Sequence, residues 1–284
     1  MKKIWFATVA VCLIMAMSSC RKDFNENVQS AEDHAQIETE YSQIYDLVAD
    51  YAASSGRIGK TESNILPTGA EVVFTDSLYD DGDGVDFYIN FGPLNNGGST
   101  KGIQCKDLRY RAGIVHVGLT NHWSEVPDTL TIAITAADNY YAGNGVNMYK
   151  LTGTKVVAHT AQDEFHVVVT NATLQRENGT ANWSAERFIT VTDNVGVGWL
   201  NDEYDVTGTA EGTNVAGEAF TVTTLTPLHK KVSYGCLSTY VSGELALTTN
   251  NKTLNLNYDN TGNQTCDKVV TVTYNGKTKE VTLW

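Results

Sequence analysis

The sequence predicts a mainly β protein, a long antiparallel meander with one N-terminal α-helix. Three observations carry this expectation. Threonine is the composition outlier, with 35 residues, 17 of them after residue 200. Glycine reaches 24 while proline stays at 4, which suits short turns between strands rich in β-branched and aromatic residues. After residue 66 apolar and polar residues alternate with period two, the spacing of half-buried strands. Periodicity alone leaves open a sandwich, a barrel or an extended curved sheet.

At 284 residues the chain is long enough for one or two domains and a sizeable core. Charged residues make up 19% and hydrophobic residues 42%, a balance that argues against a disordered chain. The formal charge of −13 argues against nucleic acid as a partner, because phosphate binding needs a positive surface.

The N-terminus carries an address. Lys2 and Lys3 precede an apolar stretch from Ile4 to Met17. As a helix that stretch would rise only about 21 Å at ~1.5 Å per residue, too short for a membrane span. Residues 1–19 therefore read as a secretory signal. Met17-Ser18-Ser19-Cys20 resembles a bacterial lipobox, which implies cleavage before Cys20 and lipidation of its thiol. Acyl chains contribute ~0.8 kcal/mol per buried CH₂, and two or three together make a stable anchor. No other apolar run approaches spanning length. The mature chain is expected to sit on the outer membrane of a Gram-negative cell envelope, with surface or periplasmic face undecided. Loss of the signal removes two lysines and no acids, moving the formal charge to −15. The following Arg21-Lys22-Asp23-Phe24-Asn25-Glu26 loosely resembles the charged surface-export signals of Bacteroidetes lipoproteins.

Residues 20–29 read as the lipidated tether and 30–56 as an amphipathic helix. Ile37, Tyr41, Ile44, Val48 and Tyr51 draw one stripe, while Glu38, Glu40, Gln43, Asp46 and Asp50 lie off it. Ser30 is a plausible N-cap with Asp33 three residues on, and Ser54-Ser55-Gly56 ends the helix. The stripe is expected to pack on the body of the protein.

The β domain covers 66–284. Its candidate strands are 71–77, 86–91, 109–120, 128–136, 145–151, 154–159, 164–175, 183–192, 204–211, 217–226, 229–234, 238–248, 252–258, 268–274 and 277–283. The last pair shows the logic. Asn275-Gly276 supplies the two positive-φ positions of a type I′ turn, and pairing across it puts Val270, Val272, Tyr274, Val281 and Leu283 on one face. Further tight connections are expected at Gly153, Asn178-Gly179, Gly212 to Gly217 and Asn250-Asn251. Pro67, Pro93, Pro127 and Pro227 are placed at strand boundaries, where a missing N–H does no harm.

Cys12 leaves with the signal, and Cys105, Cys236 and Cys266 remain beside the lipidated Cys20. A Cys236–Cys266 disulfide is favoured, since both would sit at the same end of a local three-strand meander. Its loop of roughly 30 residues would stabilise by ~3 kcal/mol on the chain-entropy model. The alternative is three buried thiols without a bridge.

The order helix, Ile89-Asn90-Phe91-Gly92, Cys105 to Val115, Asp202 to Gly208 and Cys266-Asp267-Lys268 followed by Asn275-Gly276 resembles uncharacterised Bacteroidetes lipoproteins over nearly all the mature chain. The resemblance implies an address and an architecture; that family offers no activity to carry over.

For chemistry, Asp80-Asp81-Gly82-Asp83-Gly84-Val85-Asp86 is the best metal candidate, with Asp81, Asp83 and Asp86 as ligands for Ca²⁺. The alternative is a solvated hairpin loop. No nucleophile elbow, zinc-protease helix or phosphate loop is present in the sequence. Asp202, Glu203 and Asp205 follow Trp199 and faintly suggest a glycosidase pair, but neighbouring strand residues point to opposite faces. Among the aromatic residues, Trp123, Tyr140 and Trp199 are candidates for stacking on sugar rings. Asp76-Ser77-Leu78 and Asp128-Thr129-Leu130 look like Bacteroidetes O-glycosylation sites, at Ser77 and Thr129. The leading functional expectation is a non-catalytic envelope module that binds a glycan, a peptide or another envelope protein. The rivals are an extracellular glycan hydrolase, an assembly subunit that adds strands edge to edge, and a lipid carrier.

Overall fold

The computed structural model describes residues 28–52, 65–79, 81–95, 101–122, 126–193, 202–233, 236 and 239–283. The protein is mainly β, built on one antiparallel sheet of sixteen strands that does not close on itself. Residues 28–52 form the single α-helix among the described residues, α1. Ser30 therefore lies inside the helix rather than at its N-cap, residues 28 and 29 are helix rather than tether, and the expected end at Ser54-Ser55-Gly56 lies outside the described residues. None of the described helical structure is long and apolar enough to cross a membrane. The strands begin with β1 (Glu71–Asp76), β2 (Val85–Asn90), β3 (Ile103–Gln104), β4 (Tyr110–Ala112), β5 (Ile114–Leu119), β6 (Asp128–Ile134), β7 (Tyr141–Gly143) and β8 (Met148–Ala161). They continue with β9 (Glu164–Arg176), β10 (Gly179–Asp193), β11 (Glu203–Thr213), β12 (Ala219–Lys231), β13 (Tyr240–Thr249), β14 (Lys252–Asn257), β15 (Val269–Tyr274) and β16 (Lys277–Thr282). The main path runs β1-β2-β5-β6-β8 and then strand by strand to β16, while β3, β4 and β7 form a side ladder off β8.

The sheet curls around α1. The apolar stripe is buried as its spacing requires, with Ile37, Tyr41, Ile44 and Val48 at most 1% exposed. The charged face is buried as well: Glu38, Glu40, Asp46 and Asp50 are no more than 5% exposed. Strands from across the sheet supply the counter-charges. Arg187 of β10 lies 2.8 Å from Glu38, Lys230 of β12 lies 2.8 Å from Asp46, and Arg176 of β9 lies 3.1 Å from Asp33. Arg109 pairs with Glu40, and Lys279 of β16 reaches Glu32 at 2.5 Å. An amphipathic pattern ordinarily marks a helix with one wet face. Here the polar face is paired rather than hydrated, which is how a buried charge is tolerated.

Three local expectations are corrected. Gly153 is not a turn: the segments 145–151 and 154–159 merge into β8, and the register against β9 shifts between Thr152 and Thr154. Gly153 has φ +139°, and a Cβ there would meet the Tyr41 hydroxyl at 2.4 Å. The glycine is a bulge that admits the helix, and Tyr41 Oη donates to the Thr152 carbonyl at 2.5 Å. Pro227 is not at a strand boundary but inside β12, where the register against β13 breaks between Thr226 and His229. An irregular ladder position is where a missing donor is tolerated. Third, the expected strand 109–120 divides into β4 and β5 at Gly113, whose φ is +84°.

The last hairpin has positive φ at both Asn275 and Gly276, with Val270, Val272 and Leu283 buried. Cys236 and Cys266 are joined in a disulfide with Cα atoms 5.8 Å apart. Cys105 is a free, buried thiol whose pKa burial pushes up.

Lys155 of β8 projects into the interface with α1. Its Nζ donates to the Tyr41 carbonyl at 3.2 Å and lies 4.7 Å from the Tyr45 ring centroid. Burial is the largest influence on it, Asp46 opposes, and the pKa is pushed from 10.5 down to about 7. Between those two pH values the unfolded chain holds a proton that the folded chain has released. Stability is therefore expected to rise as pH climbs from 7 to 10.5. Urea midpoints across that range should show this rise in the native protein and its loss in Lys155→Met.

Candidate functional site on the outer face of the sheet

Strand alternation decides what the outer face displays. Along β2, Val85, Phe87 and Ile89 are buried inward, and Asp86 and Tyr88 turn outward. Along β5, Val115, Val117 and Leu119 point in while His116 and Gly118 point out. Along β6, Leu130, Ile132 and Ile134 point in, leaving Thr129, Thr131 and Ala133 outside. Cross-strand pairing aligns two rows on this outer face. One is Asp86, Gly118 and Thr131; the other is Tyr88, His116 and Ala133.

Gly118 and Ala133 are small and their row neighbours are large, so the surface sinks between them. The resulting depression has a volume of about 450 Å³, within the usual range for ligand pockets. Asp83 and Asp86 line it together with His116, Thr120, Thr129 and Thr131. Asp86 lies across Gly118: a Cβ added there would be 2.7 Å from Asp86 Oδ1. His116 is oriented by Asp138, with Nε2 and Oδ1 3.0 Å apart. Burial alone would raise the Asp138 carboxyl, but the Thr135 hydroxyl and amide, with His116, hold it below the usual range.

The β1–β2 hairpin closes one end of the depression. Asp76, Asp81 and Asp83 bring carboxylate oxygens within 4.8 Å of one another. Of the three expected ligands the structure brings Asp81 and Asp83 together, with Asp76 beside them, while Asp86, the second residue of β2, turns its side chain over Gly118 instead. A hydrogen bond with Asp81, then the charges of Asp81 and Asp76, push the exposed Asp83 carboxyl up. At the adjoining loop, the Tyr79 and His122 rings stand 4.0 Å apart.

The other sequence candidates separate. Tyr140 is not a surface contact: it is 1% exposed and packs 6.0 Å from the Phe91 ring, a core aromatic. Trp123, Trp199 and Cys20 lie outside the described residues. Ser77 is half-buried in the β1–β2 connection, and Thr129 is a half-buried wall of the depression. Asp202 is buried and accepts a hydrogen bond from the Tyr204 hydroxyl at 3.1 Å. Glu203 and Asp205 share the outer face and flank His229, at 3.0 and 2.7 Å from its two ring nitrogens. Those carboxylates face an imidazole rather than each other. Sequence reasoning missed Gly118, His116 and Thr131, because a depression between strands is a property of register rather than of any local motif.

Comparison of the chain with protein-family models, with curated proteins and with solved structures finds no match.

Proposed function

We propose that this protein is a lipid-anchored, non-catalytic binding module of a bacterial outer membrane, and that the outer-face depression contacts a neutral, hydroxyl-rich ligand such as a glycan. The single observation that carries this reading is the depression itself, a concavity of about 450 Å³ walled by threonine hydroxyls, an imidazole and two carboxylates. Carboxylates and hydroxyls accept hydrogen bonds from sugar hydroxyls, and the acidic rim disfavours polyanions. The ladder beneath it is continuous from β2 to β6, so the contact groups stand on rigid strands. No cofactor enters this reading.

A glycan hydrolase is the second reading, and it draws on Asp83. That carboxyl is raised, and it shares the depression with Asp86, an arrangement that acid–base chemistry can use.

The test is calorimetric titration of the purified mature chain with envelope and host polysaccharide fragments. Gly118→Leu fills the depression from the solvent side without touching the core. It is expected to weaken binding at least tenfold, about 1.4 kcal/mol, with the melting temperature little changed once the Asp86 carboxylate, 2.7 Å from the new Cβ, swings aside. Equal binding by both proteins would remove the depression from the site. Hydrolysis of a bound fragment by the native chain and not by Asp83→Asn would replace the binding reading with the enzyme.

A further inference from the structure

The two ends of the curled sheet differ in chemistry, and α1 runs from one to the other. At its N-terminal end Val28 is fully buried, and Ser30 is held by Asn214 at 3.0 Å. Asp33 accepts from the Val215 amide at 2.9 Å and pairs with Arg176. The β9–β10, β11–β12 and β13–β14 connections therefore surround the start of the helix. At its other end Tyr51 packs 5.4 Å from Phe87 of β2, beneath the depression. Twenty-five helical residues separate the two ends by ~36 Å at about 1.5 Å per residue.

We propose that the end where α1 begins faces the lipid bilayer and that the end bearing the β1–β2 hairpin stands away from it. This rests on the reading of Cys20 as the lipidated residue. Seven residues, and so eight Cα steps, separate Cys20 from the buried Val28, a reach of at most ~28 Å when fully extended. The anchor thus holds the near end within one short tether of the headgroups, while the far end lies a further ~36 Å along the helix.

Charge acts in the same direction. The near turns are dominated by asparagine and glycine: Asn144 to Asn147, Asn250-Asn251 and Asn275-Gly276. Glu177 and Glu218 are offset there by Lys252 and Lys277. The far connections and strand ends carry Asp81, Asp83, Asp163, Asp193, Asp259 and Asp267, against Lys231 and Lys268. Anionic headgroups repel that acidic end within a Debye length, ~10 Å at ordinary ionic strength. An apolar tip also points the near way. Val146 is 84% exposed on the β7–β8 turn, and that turn is fixed because the Val146 and Asn147 amides both donate to Asn144 Oδ1 at 2.8 Å.

The experiment uses the full-length lipidated protein in vesicles of phosphatidylethanolamine and phosphatidylglycerol. Fluorophores are placed at Val146→Cys or Asp163→Cys, in a Cys105→Ser background, and read by energy transfer to an acceptor lipid. Transfer from position 146 is expected to exceed that from 163 several-fold, with the difference narrowing in high salt. Equal transfer, or more from 163, overturns the orientation while leaving the anchor intact. Palmitate labelling of native protein against Cys20→Ala tests the anchor separately. If both chains stay unlabelled and partition alike, the anchor reading fails and the orientation falls with it.

Discussion

Replacing Arg187 by methionine is expected to destabilise the protein by about 3–5 kcal/mol, the usual cost of leaving a buried charge without its partner. Arg187 Nε donates to Glu38 Oε1 at 2.8 Å, and both side chains are 5% exposed. Burial alone would raise the Glu38 carboxyl, but Arg187, together with His34, holds it well below the ordinary range. The variant keeps His34, whose Nε2 lies 3.1 Å from Glu38 Oε2. The pair itself is imperfect, because Arg187 Nη1 and Nη2 find no hydrogen-bond partner among the described residues. Converting both residues, Glu38→Leu with Arg187→Met, is therefore expected to recover most of the loss, and a double-mutant cycle by urea unfolding measures the coupling. A depressed carboxyl also sets a pH dependence. Its contribution is present above the unfolded value of 4.5 and is lost as pH falls below it. The double variant should lack that component of acid destabilisation. A single variant as stable as the native protein would mean that α1 does not pack as described.

Gly153→Ala is expected to cost about 3 kcal/mol or more, from a strained backbone and overpacking together. A Cβ at φ +139° meets the Tyr41 hydroxyl at 2.4 Å and the Ala172 backbone at 2.7 Å. Neither neighbour yields easily, since Tyr41 is 1% exposed and Ala172 belongs to the paired strand β9. Gly276→Ala is the control. Its φ is also positive, at +74°, but no atom of the described residues lies within 4 Å of the added carbon, so the backbone penalty of about 1 kcal/mol is what applies. The contrast in thermal midpoints separates helix contact from turn strain.

Those two residues also show what the sequence can reveal. The β15–β16 hairpin is legible because strict alternation and Asn275-Gly276 agree locally, with nothing distant needed. The Cys236–Cys266 bridge is legible for a similar reason: one short meander brings its ends together. Gly153 misleads because a glycine in a strand pattern signals a turn and a bulge alike, and the residue it accommodates, Tyr41, is over 100 positions away. The polar side of α1 was visible, but its partners are spread from Arg109 to Lys279. No periodicity links an acid on a helix to a base on a strand. Tyr140 fits a core or a sugar-stacking surface equally well by composition, and only its burial decides. The depression depends on Gly118 standing beside Asp86 and Thr131. The long β5–β6 connection conceals that register, whereas a two-residue turn would have fixed it.

The rigid outer face and the two chemically distinct ends both depend on α1 lying inside the sheet. Amide hydrogen exchange of the intact protein tests that arrangement most directly. Amides across residues 34–48 should exchange only through global unfolding, as slowly as those of β9 and β10. Exchange of those helical amides at the rate of the exposed turns, with the strands still protected, would contradict it.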